Sequence, residues 1–173
     1  MMTSLVLTVI GPDKPGLVSA ISQKITAGGG NWLDSRMASL AGQFAGLLLV
    51  SVPQASADSL IALLQTLEQG GLRLIIERGI GGAMDRGRTL RLELTGQDRP
   101  GIVRDISETL ARHQVNIEEM ETAFFSGSFS GEDLFELRAV LRAPVELTED
   151  RLRDTLENLA DSLMVDISLD PTA

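Results

Sequence analysis

The segment Gly11-Pro12-Asp13-Lys14-Pro15-Gly16-Leu17-Val18 returns as Gly96-Gln97-Asp98-Arg99-Pro100-Gly101-Ile102-Val103. The offset of 85 residues (96 minus 11) holds without a gap as far as Asn31 and Asn116. Along it Leu5, Leu7 and Val9 meet Leu90, Leu92 and Leu94, Ile21-Ser22 meets Ile106-Ser107, and Ile25 meets Leu110. Apolar positions repeat together with the turn. The chain is therefore a duplicated module, and any fold it adopts must be adopted twice.

The 173 residues, 43% of them hydrophobic, suffice for two modules of roughly 80 residues each, near the lower end of domain size. A core that thin predicts an interface shared between the modules. The balance of 24 acidic against 15 basic residues gives a formal charge of −9. No Lys or Arg run interrupts it, so direct nucleic-acid binding is disfavoured. The absence of cysteine removes disulfides, thiolate chemistry and Cys-ligated metals. A single histidine, His113, argues against an imidazole-rich zinc site. No metal and no cofactor are expected. The N-terminus reads straight into a strand pattern without a basic leader, and no apolar run approaches the ~20 residues of a membrane span. The expectation is a cytoplasmic protein with no membrane contact.

Leu5 to Ile10 is short, β-branched and closed by Gly11-Pro12, which predicts a strand. Asp13 is placed to cap a helix that accepts Pro15 in its first turn. Leu17, Val18, Ile21 and Ile25 then fall on one helical face, and Gly28-Gly29-Gly30 stops the helix. The runs Trp32 to Leu40 and Phe44 to Val52, turned at Ala41-Gly42, predict a hairpin. A helix capped by Ser56, with Leu60, Ile61, Leu64 and Leu67 inward, and a strand from Leu72 to Ile76 complete the module.

Module two repeats this order. It has a strand at Leu90 to Leu94, a helix with Ile102, Val103, Ile106 and Leu110, and strands near Ile117 to Phe125 and Leu134 to Leu141. A helix through Leu152, Leu156, Leu159 and Leu163 and a strand from Met164 to Leu169 follow. The fold class is thus α+β: two ferredoxin-like β-α-β-β-α-β modules, each an antiparallel sheet with helices on one face. The boundaries are a first domain at 1–78, a Gly-rich linker at 79–88 and a second domain at 89–173.

Two differences separate the modules. Phe44 to Val52 is apolar at almost every position, whereas Phe135, Leu137, Ala139 and Leu141 alternate with Glu136, Arg138, Val140 and Arg142. A strand apolar on both sides calls for cover on both sides, from the other module, a second copy or a partner. Pro53 and Pro144 are offset by 91 (144 minus 53), so module two carries six extra residues (91 minus 85), Ser126-Gly127-Ser128-Phe129-Ser130-Gly131. That insertion reads as a surface loop, with a lid or docking tip as the sharper alternative.

The repeated turn is the candidate site. Gly11 and Gly16, with Gly96 and Gly101, free the backbone to approach a ligand. The helix starting around Pro15, and its repeat, with Leu17 or Ile102 in the first turn, offers unpaired amides and a positive dipole end suited to a carboxylate. Asp13 and Asp98 can receive an α-ammonium group, and Asn31 and Asn116 supply a donor and acceptors. The plain alternative is that Asp13 caps the helix and Asn31 fills a turn.

Gly28-Gly29-Gly30 does not lead into a helix and no Gly-Lys-Ser/Thr follows either turn, so dinucleotide and phosphate-loop readings fail. His113 reads as a helix-end residue, Trp32 as core, and Glu118-Glu119-Glu121 and Glu149-Asp150 as solvated or helix-start charge. No catalytic nucleophile or His-carboxylate pair is recognisable, so no enzyme is expected.

The doubled Gly-x-Asp-Lys/Arg-Pro-Gly-Leu/Ile-Val, followed after a helix by Asn and an apolar strand, resembles the ACT domain in both halves. That resemblance implies regulatory modules that bind amino acids, glycine among them, where two modules meet, and hence a homo-oligomer. The run Asn31-Trp32-Leu33-Asp34-Ser35-Arg36-Met37-Ala38 with Gly42 and Phe44 is similar to tandem members that repress transcription. Those members imply a regulatory protein partner, a DNA-binding activator held without direct contact to DNA. Trp32 departs from the Ile usual in the family. The alternative is a detached sensory unit serving an enzyme of amino-acid or nitrogen metabolism.

Overall fold

The computed structural model describes residues 1–79, 87–126 and 133–171. Module one runs β1 (Met2–Pro12), α1 (Leu17–Ala27), β2 (Asn31–Leu40), β3 (Gln43–Pro53), α2 (Ala57–Gln65) and β4 (Arg73–Arg78). Module two runs β5 (Arg88–Gln97), α3 (Ile102–Arg112), β6 (Asn116–Ser126), β7 (Asp133–Ala143), α4 (Glu149–Leu163) and β8 (Val165–Pro171). The chain divides into two compact units, Met1–Ala83 and Met84–Ala173. Residues 80–86 of the expected linker and 127–131 of the expected insertion lie outside the described residues.

Each unit is the β-α-β-β-α-β arrangement the repeat predicts. The sheet orders are β2-β3-β1-β4 and β6-β7-β5-β8, with every neighbouring pair antiparallel. In both, the first strand of the module is central, bonded on its two edges to the third and fourth. Period-two alternation sends Leu5, Leu7 and Val9 to one face, where all are 0% exposed, under Ile21 and Ile25 of α1 and Leu60 and Leu64 of α2. Leu90, Leu92 and Leu94 do the same beneath Ile106, Leu110, Leu152 and Leu156. Full burial of each such side chain contributes about 1.5–3 kcal/mol. The β2–β3 hairpin turns through Ala41 and Gly42, both at positive φ (49° and 77°), the backbone that matches the twist of paired strands.

Some expectations change. Helix α1 starts at Leu17 with Gly16 as its N-cap, so Pro15 and Asp13 precede the helix and neither starts nor caps it. Leu17 is half-buried, while Val18 and Val103 are exposed, so the buried face of each helix is narrower than the apolar run suggests. Ser56 stands at the N-cap of α2, yet its hydroxyl caps nothing. Trp32 packs on the core. In β3 the alternate positions Phe44, Leu48, Val50 and Val52 are buried, while Leu47 is 50% exposed. The described residues thus give β3 a covered face and an open one. The strand registers also shift between Trp32 and Asp34, and again between Ile117 and Glu119. These are β-bulges at Leu33 and Glu118, one offset of 85 apart (118 minus 33), that no reading of periodicity anticipated. No described helix is long and apolar enough to cross a membrane.

Ile106 is 1% exposed and Val103 is 37% exposed, although the two share an apolar helix run. Ile106→Ala should lower stability by roughly 2–5 kcal/mol and Val103→Ala by less than about 1. Denaturant titration of the two variants checks this, and equal losses would contradict the helix facing.

Candidate functional site

The repeated turn follows the central strand of each module. At its end Gly11 is paired with Phe44 and Phe44 with Ser39, while in module two Gly96 is paired with Phe135 and Phe135 with Phe124. Gly16 and Gly101 then take left-handed backbone, φ 91° and 102°, as the N-caps of α1 and α3. Only glycine adopts this at little cost, and it turns the chain sharply from strand into helix. No side chain caps either helix, so the first-turn amides carry their partial positive charge toward the turn without a side-chain acceptor.

Gly11 and Gly96 serve a different purpose from the one their spacing suggests. A Cβ on Gly11 would lie 2.9 Å from the carbonyl oxygen of Gly71 and from Leu72 Cδ2. On Gly96 it would lie 2.5 Å from Val165 Cγ1. Both glycines therefore admit the chain entering the fourth strand of the module, and this packing accounts for them without a ligand. A Cβ on Gly16 meets nothing within 4 Å, so the N-cap faces open space.

Asp13 is held on two sides. Its N–H donates to Gly42 O at 2.9 Å, and its Oδ2 accepts from the Ser39 hydroxyl at 2.6 Å. The carboxylate is thus tied to the β2–β3 hairpin. Asp98 N–H donates likewise to Asp133 O at 2.8 Å. The position matching Ser39 is Phe124, 58% exposed, so turn two has an aromatic ring where turn one has a hydroxyl. Turn two also carries Arg104, whose Nη2 would lie 3.1 Å from a Cβ on Gly101. Its Nε donates to Asp105 Oδ1 at 2.8 Å. That hydrogen bond and the charge of Asp105 raise the guanidinium above its ordinary pKa. The corresponding residues in module one are Ser19 and Ala20. Ser39, Phe124 and Arg104 were missed by sequence reasoning, although carrying the 85-residue offset on to the second strands aligns Ser39 with Phe124.

Asn31 and Asn116 are exposed and begin β2 and β6, as expected, but at the far end of each sheet. Asn31 is opposite Ser51 and Ser51 opposite Ser4, whereas Asp13 follows Pro12. From Ser4 to Pro12 the strand climbs about 26 Å, at ~3.3 Å per residue. Asn116, opposite Arg142, which pairs with Thr89, is equally remote from Gly96 to Ile102. The structure brings Gly11, Asp13, Gly16 and Leu17 into one turn, and Gly96, Asp98, Gly101 and Ile102 into the other. Neither turn includes its module's asparagine. Ile102 is 2% exposed, so its amide is available to the turn while its side chain is core. His113 is the C-cap of α3, as expected. Among the described residues no group of His, Cys, Asp or Glu could hold a metal.

Set against known proteins, residues 3–77 and 88–170 both match the ACT domain. The chain is 29% identical over 119 residues to the glycine cleavage system transcriptional repressor of Escherichia coli strain K12, across 67% of this chain and 62% of that protein. The match thus spans under two thirds of the relative. A solved Galdieria sulphuraria protein, whose name gives no function, is 28% identical over the full length of both chains with a TM-score of 0.89. A structure assigned by name to a glycine cleavage system transcriptional repressor superposes with a TM-score of 0.70 over 98% of this chain and 97% of that one. At 22% identity it bears on the fold alone.

The glycine geometry predicts two kinds of damage. Gly101→Ala should cost roughly 1–2 kcal/mol, chiefly from left-handed backbone, since the Arg104 guanidinium that the methyl approaches is the far end of a flexible side chain. Gly96→Ala should cost more, because the new methyl overlaps Val165. Unfolding midpoints of the two variants decide it, and a milder Gly96→Ala would contradict the close approach of β5 to β8.

Proposed function

Since the chain belongs to the ACT domain family, we propose that it is a non-catalytic regulator that senses a free amino acid at its repeated turns. The observation that carries this is the pair of helix starts left without a side-chain cap, each following an aspartate that the hairpin holds in place. First-turn amides suit the carboxylate of a zwitterion, and Asp13 or Asp98 suits its ammonium group. The two turns differ in Ser39 against Phe124 and in Arg104, so they need not select the same side chain. A zwitterion in one turn cannot span the ~26 Å to the asparagine of its own module. An asparagine would have to come from the neighbouring module or from a second copy of the chain.

Relatedness to a repressor of the glycine cleavage system supports a role in transcription, with glycine as the first ligand to try. The formal charge of −9 favours action on a DNA-binding activator over contact with DNA.

A thermal-shift screen of the free amino acids tests the reading. An amino acid present at 100 times its dissociation constant should add about 2.7 kcal/mol to stability. The doubly substituted Asp13→Ala, Asp98→Ala chain should lose that shift while melting cooperatively. No shift with any amino acid at millimolar concentration, or a shift that survives both substitutions, removes the sensor.

A further inference from the structure

The helix-free faces of the two sheets have the same backbone and opposite chemistry. In sheet two the open positions include Arg91, Glu93, Glu121, Arg138 and Asp166, a charged surface built for water. In sheet one the open positions form three rows across β2, β3, β1 and β4. They are Asp34, Leu49, Val6, Glu77; then Arg36, Leu47, Thr8, Ile75; then Ala38, Ala45, Ile10, Arg73. The centre is apolar, with Leu47 50% and Ile75 63% exposed, and charges stand only on the two outer strands. A depression of about 180 Å³ lies among Val6, Asp34, Arg36, Leu47 and Leu49. The fold does not require this face to be apolar, because the duplicate module is charged there.

We propose that this face binds a second copy of the same chain, sheet against sheet. A two-fold axis lying between the faces and running across the strands reverses the order of the rows and sets each strand over its own mate. With that axis between the first and second rows, Asp34 of each copy faces Arg36 of the other, and Leu49 faces Leu47. The leucines meet over the depression; on the β2 rim the Asp34–Arg36 ion pair that each chain makes within itself, at 2.7 Å, lies head to tail on that of its mate, and on the β4 rim Glu77 faces Ile75. An axis along the strands would instead set Asp34 against Glu77, two like charges, so the β2 rim favours the axis across the strands. Strands ~4.8 Å apart and three rows deep bury on the order of 1,000 Å² from both copies together, the lower limit of a specific interface. An interface at that lower limit makes a weak dimer. It does not depend on the amino-acid site.

Sedimentation of the full chain over a series from submicromolar to about 200 µM reads the equilibrium. The wild type should pass from monomer to dimer. Leu47→Lys should weaken the dimer by at least ~100-fold, because a charge enters the apolar centre. Asp34→Arg should weaken it as well, and Asp34→Arg with Arg36→Asp should restore it. The charge series stays readable should the lysine lower the melting temperature. A chain that is monomeric throughout, a dimer indifferent to Leu47→Lys, or a double reversal that fails to restore it overturns the proposal.

Discussion

Each module depends on a strand hydrogen-bonded along both edges with one entire face buried. Leu5, Leu7 and Val9 in β1, and Leu90, Leu92 and Leu94 in β5, are at most 1% exposed. A slip of one residue would send all three to solvent, so burial fixes the register against both neighbours. The register in turn fixes where the strand ends. It places Gly11 beside Gly71 and Leu72, Gly96 beside Val165, and the left-handed Gly16 and Gly101 where the chain must turn into a helix. The uncapped helix starts thus follow from core packing and not from selection at the turn alone.

Duplication makes the modules controls for each other. What is identical in both, such as the buried alternation, the bulges at Leu33 and Glu118 and the aspartate N–H bonded to the hairpin, belongs to the fold. What differs has no such explanation. Turn one ties Asp13 to Ser39, while turn two substitutes Phe124 and adds the Arg104–Asp105 pair. One sheet presents leucine and isoleucine on its open face, the other arginine and glutamate. Both contrasts fit the different contacts proposed for the two halves.

The fold was largely legible because duplication showed each period twice, and β3 betrayed its open apolar face by lacking polar alternation. The bulges were not legible. One extra residue breaks a period of two only locally, and nothing in Leu33 or Glu118 marks it. The helix start was misplaced because Pro15 fits a first turn by its own geometry, whereas the positive φ of Gly16 is imposed by the strand end. Asp13 and Asn31 looked like partners because both flank α1. A helix of 11 residues rises about 16 Å back along the sheet, so its two flanks end far apart. Sequence proximity across a helix is the wrong guide to a shared site.

The central claim is that the first-turn amides of α1 and α3 receive a carboxylate. Titrating an amino acid into the isotopically labelled chain and following backbone amide resonances by NMR tests it most directly. Saturable shifts should concentrate on Leu17 to Ser19 or on Ile102 to Arg104, with Asp13 or Asp98 moving in step. Saturable binding that leaves both helix starts unmoved and shifts amides elsewhere would contradict it.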